Sequence, residues 1–142
     1  MPDEKVVQLV EVVSGDSISI PFSGTVAAGA RVTLCSKIIG FPYKTKRFRV
    51  SFPLNTNRTV DISFHICSDP STPTTGEPVG DSVFKPHGQV SYVVGDDEQK
   101  DYDHELRIKT KGTYIKVHAY NTDSFSHTID CCVWIERLRE VV

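Results

Sequence analysis

Residues 46 to 67 carry the clearest period-two pattern in the chain. Phe48, Val50 and Phe52 alternate with Arg47, Arg49 and Ser51; after a break, Val60, Ile62, Phe64 and Ile66 alternate with Asp61, Ser63, His65 and Cys67. Alternation of this kind turns one side of an extended chain to a core and the other to solvent. Between the two runs, residues 53 to 58 supply turn chemistry, with Asn55 and Asn57 free to adopt positive φ. The pattern predicts an antiparallel hairpin with both apolar sets on one face. Arg47, Arg49, Ser51, Asp61, Ser63 and His65 then share the other. A face of that composition is either solvated or built to hold a polar ligand.

The same reading extends along the chain. Val6 to Val13 predicts a first strand, and Ser17 to Phe22 and Arg31 to Cys35 predict the next two, separated by Gly24 and the Val26–Ala30 turn. Ser68 to Gly80, rich in Pro, Ser and Thr, reads as an exposed loop. Val83 to Val94 holds one or two short strands. The run from Gly95 to Asp101 reads as an acidic connection, because no apolar stripe supports a helix there. Glu105 to Thr110, Tyr114 to Tyr120 and Thr128 to Arg137 complete the set, with Ile115, Val117 and Ala119 facing inward and Tyr114, Lys116, His118 and Tyr120 outward. Short strands punctuated by Gly, Pro, Asn and Asp, with no sustained helix, specify an all-β fold. The expectation is one antiparallel β-sandwich of jelly-roll type spanning residues 1–142.

Composition narrows the function. The 142 residues suit one domain, and a formal charge of −2 argues against a binder that works by neutralising nucleic-acid phosphates. No apolar run reaches the roughly 18 residues a membrane-spanning helix needs. The charged start, Met1 to Lys5, does not resemble a signal peptide, so the expectation is cytoplasmic synthesis, with any export following a non-classical route. Cys35, Cys67, Cys131 and Cys132 are too few and too irregular for a secreted disulfide scaffold, and Cys131 and Cys132 point to opposite faces of one strand. Asn57 to Thr59 fits the glycosylation acceptor pattern, which stays unmodified outside the secretory route. The histidines and cysteines lack metal-ligand spacing, and neither a G-x-S-x-G elbow nor a P-loop is present. The expectation is a protein that is not an enzyme and uses neither metal nor cofactor.

Several short patches together carry a family likeness. Pro21 to Gly24, Ala28-Gly29, Val32 to Leu34, Arg47-Phe48 and Asp61 to His65 follow one another as in the first half of a galectin domain, and Tyr114 to Val117 with Phe125 to His127 resembles its last strands. The resemblance implies a lectin that binds β-galactosides on a concave sheet face, without metal and without a signal peptide. His65 matches the family's site histidine. Cys67 stands where the family has Asn, Asp69 where it has Arg, Lys85 where it has a second Asn, and Tyr92 where it has the stacking Trp. Most of the polar clamp is therefore replaced, and a hydroxyl-binding site without its donors loses much of its affinity.

Two functions follow. One is a galectin-like carbohydrate-binding domain with an altered site built from Arg47, Arg49, Asp61, His65, Lys85 and Tyr92, taking a glycan or glycoprotein as partner. The other is a jelly-roll structural or assembly protein, a capsid-type subunit or interaction module, forming a homo-oligomer with Trp134 in the interface. The first requires the arginines and His65 to emerge from one side of neighbouring paired strands.

Overall fold

A computed structural model describes residues 8–11, 17–76, 78–79, 82–84 and 92–141, with the side chains of 8–11 and 139–141 outside the description. The strands are β1 (Gln8–Glu11), β2 (Ser17–Val26), β3 (Arg31–Cys35), β4 (Tyr43–Phe52), β5 (Val60–Cys67), β6 (Glu98–Asp103), β7 (Arg107–Ile108), β8 (Tyr114–Asn121) and β9 (His127–Val141). All pairings between them are antiparallel. One sheet runs β1 and β2, then β9, β4, and β6 with β7; the other runs β3–β8–β5. Ser82 bridges His65, and Val93 bridges Ile62, so these two residues mark a fourth position beside β5. Counting β1 with β2 and β6 with β7, the sheets read first–eighth–third–sixth and second–seventh–fourth–fifth. That is jelly-roll connectivity.

The apolar alternation of β4, β5, β8 and β9 falls inside as expected. Phe22, Phe48, Val50, Cys131, Val133 and Ile135 from one sheet meet Ile62, Phe64, Ile115, Val117 and Ala119 from the other. Phe48 and Phe64 stack edge-to-face at 5.0 Å, and Phe84 joins both at 5.4 and 6.0 Å. Edge-to-face rings of this kind add to the burial term that holds the two layers together.

The hairpin expected between residues 46 and 67 does not form. β4 pairs with β9 and β6, while β5 pairs with β8, so the two runs belong to opposite sheets. Their connection crosses the sandwich. It is held by Thr56, which is buried and donates to the Pro53 carbonyl, and by Thr59, which donates to the Thr56 carbonyl. Asn55, Asn57 and Arg58 adopt positive φ there. Two strands that each have one apolar face can bury it side by side or face to face. Alternation alone does not choose between these.

A second correction concerns the acidic stretch after Gly95. Glu98–Asp103 is the edge strand β6, with Lys100 and Tyr102 turned toward the core side and Gln99, Asp101 and Asp103 outward. Its charges mask the alternation and protect a free edge. The segment from 68 to 80, read as an exposed loop, is largely that among its described residues, with Pro78 as its buried member. Thr33 Oγ1 donates to the Pro73 carbonyl, Val83 N–H donates to the Phe64 carbonyl, and Pro78 is buried. The segment lies over the outer side of the β3–β8–β5 sheet.

Candidate functional site

The outer face of the larger sheet gathers the charged side chains. β4 carries a bulge between Thr45 and Arg47, so Lys44 pairs opposite Glu136 and Arg47 opposite Trp134, both pointing outward. Arg47 Nη2 and Arg49 Nε both reach Asp101 Oδ1 at 2.9 Å. The two guanidinium carbons lie 5.2 and 5.0 Å from the centre of the Trp134 ring, within cation–π range. Lys44 Nζ contacts Glu105 at 3.2 Å and Glu136 at 3.4 Å, and Lys46 Nζ contacts Glu136 at 3.2 Å. Beside them lies an open groove of about 460 Å³, lined by Ser17, Lys44, Lys46, Arg47, Glu105 and Trp134 among others.

The hydrogen bond from Arg49, backed by Arg47, holds the Asp101 carboxyl below its ordinary value. Burial opposes ionisation of Glu136, but Lys46 and Lys44 together outweigh it and keep its carboxyl low as well. Lys44, Lys46, Arg47 and Arg49 thus face Asp101, Asp103, Glu105 and Glu136, and the face is nearly balanced in charge. Ion pairs open to solvent, such as those of Asp101, add little to the stability of the fold. Their effect is to fix the arginines around Trp134 rather than to stabilise the fold.

The outer face of the smaller sheet is different. His65 is 1% exposed and shares this face with buried Ser63, His118, Lys116 and Thr33; Ser82 bridges His65, and the Pro73 carbonyl accepts from Thr33. Ser63 Oγ and His65 Nε2 are 2.8 Å apart. The Thr33 hydroxyl gives its proton to Pro73, so it accepts from His118 Nδ1 at 2.9 Å, which leaves Nε2 to accept from Arg31 at 3.1 Å. This network calls for the neutral Nδ1–H tautomer. Lys116 is fully buried, with no hydrogen-bond partner for its ammonium among the described residues. Asp61, at the margin of the same face, has its carboxyl raised by burial, an effect that Arg31 partly opposes.

The expected polar face therefore does not assemble. Arg47 and Arg49 stand on one outer face of the sandwich, and Asp61 and His65 on the other, with the aromatic core between. Tyr92 is 45% exposed beside the Val93 bridge, on the β5 side. Lys85 lies outside the described residues. Trp134 does join Arg47 and Arg49, while Asp101, the residue that organises both, sits on the strand that had read as a connection. Its signal was the alternation of Lys100 and Tyr102 with acidic neighbours.

No protein-family profile matches the chain, and no curated protein matches it. Solved structures similar to it include Bacillus endospore appendages, described as disulfide-linked pili, at 15% identity and TM-score 0.46, covering 92% of this chain and 89% of that one. A Yersinia pseudotuberculosis-derived mitogen aligns at 10% identity and TM-score 0.39, covering 82% and 84%. The Gt strain of infectious bursal disease virus aligns at 10% identity and TM-score 0.37, covering 93% of this chain and 32% of that one. With every TM-score below 0.5, these likenesses carry no argument. The architecture rests on the strand pairing itself.

Proposed function

We propose that this chain is a non-enzymatic assembly module, a jelly-roll sandwich that associates with copies of itself through the outer side of its larger sheet. The observation that carries this reading is Trp134, half-buried, with Arg47 and Arg49 against its ring and both fixed by Asp101. Tryptophan and arginine held in one geometry are the side chains that most often anchor protein contacts, because they cover large area with little entropy left to lose. A saccharide site needs an open ring face and donors free to turn to hydroxyls. Here the guanidiniums occupy the ring's surroundings and spend donors on a carboxylate of the same chain. His65, the one side chain that matched a sugar-binding pattern, is enclosed on the opposite sheet.

Light scattering over a wide concentration range tests the reading, alongside a glycan array. The expected result is a mass that rises with concentration, reduced by Trp134→Ala, with no saccharide retained. A concentration-independent monomer that retains a glycan, and loses it on Trp134→Ala, would overturn it.

A further inference from the structure

An apolar groove of about 480 Å³ opens at the side of the sandwich, between the first half of β2 and the connection that follows β3. Ile18, Ile20, Ile38, Ile39, Phe41 and Ile135 line it, and no acidic side chain does. Ile39 and Ile135 are buried, so the groove reaches the core, whereas Ile18 is 39% and Ile38 58% exposed where it meets solvent. Small-molecule sites are clefts of roughly 300–1,000 Å³ with mostly apolar walls and a few polar groups that fix orientation. This groove has that size and that lining.

Two cations stand beside it. Lys37 is exposed and lines the groove, and the Arg137 guanidinium lies 5.0 Å from the centre of the Phe41 ring. Neither has an ion-pair partner among the described residues. Lys44, Lys46, Arg47 and Arg49, on the outer face of the larger sheet, all have one. Unpaired cations beside apolar walls that carry no acid complement an anion attached to an apolar body. The edge of β2 narrows the choice further. Pro21 has no N–H, so the free edge lacks a donor that an added strand would need. An alkyl chain asks for no hydrogen bond and needs only apolar surface.

We propose that the groove holds one long-chain fatty acid, its alkyl chain along Ile18, Ile38 and Phe41 and its carboxylate on Lys37. This goes beyond the self-assembly proposed above and does not depend on it. Burial of the chain supplies the affinity, about fourfold for each methylene removed from water. The cation supplies the orientation and the preference for a negative head.

Calorimetric titration of the full chain with sodium laurate, kept below its micellar concentration, tests it. The expected result is one laurate per chain, with decanoate roughly tenfold weaker for its two missing methylenes. Dodecyltrimethylammonium, a chain of the same length with the opposite charge, should bind at least tenfold more weakly than laurate. Ile38→Glu should cut laurate affinity tenfold or more with the circular dichroism unchanged. Lys37→Glu should erase the preference for laurate over the cationic amphiphile. Wild-type protein that takes up no laurate overturns the proposal, as does binding that is equal in both variants or indifferent to chain length and head charge. Loss of solution mass in Ile38→Glu, with no laurate bound by the wild type, overturns it in favour of a second copy in the groove.

Discussion

Gly95 sits where a side chain would collide with the core. A Cβ there would come within 2.6 Å of Phe52 Cδ2 and 2.7 Å of Glu98 Oε1. The carboxylate can swing away, but Phe52 is a buried ring that cannot. Gly95→Ala should therefore destabilise the protein by about 1–3 kcal/mol, the usual cost of overpacking, read from urea unfolding. Asp101 offers a residue-scale test of the outer face. Folded Asp101 keeps its charge to lower pH than the unfolded chain does, because Arg49 and Arg47 bind it. Its contribution is complete above the ordinary value of 3.8 and disappears as pH falls through the lowered one. Protonation should release both arginines from Trp134, the only tryptophan, and shift its fluorescence with a midpoint below 3.8. Asp101→Asn should abolish that transition. The arginines and Trp134 were legible as outward residues from alternation. Asp101 was not, because an edge strand that is acidic on its outer side looks like a loop.

At the scale of elements, one buried side chain ties two connections. Asn121, at the end of β8, shares its two amide hydrogens among the carbonyls of Val26 and Ala27 at 3.2 Å and of Phe125 at 2.7 Å, and accepts from Asp123 N–H at 2.9 Å. It thus fastens the turn after β2, where Gly29 at φ 66 lets the chain reverse, to the turn before β9. Asn121→Ala removes these bonds from a buried to part-buried site, and each lost partner is expensive. The expected loss is on the order of 3 kcal/mol in denaturant unfolding, with β2 and β9 exchanging their amide protons faster. Nothing in the sequence marked Asn121, since asparagine in a strand reads as a defect until its partners are known. The β4–β5 arch follows the same logic. Its asparagines signalled positive φ, but a turn signal does not say whether the chain folds back in its own sheet or crosses to the other.

For the whole molecule, the outer faces of the two sheets have opposite fates. One stays open, with its charges balanced around Trp134; on the other, His65, His118 and Lys116 are buried. The chain by itself determined the class of fold and which residues face the core, because side-chain alternation follows from backbone geometry at each residue and needs no partner. It also placed Arg47, Arg49 and Trp134 on an outward surface. Only the tertiary structure decided which strands pair, which outer face is open, and that the arginines and His65 are separated by the core. Pairing is a competition among many strands of nearly equal local pattern. Its outcome depends on long-range burial, such as Phe48 against Phe64, that no short stretch of sequence contains.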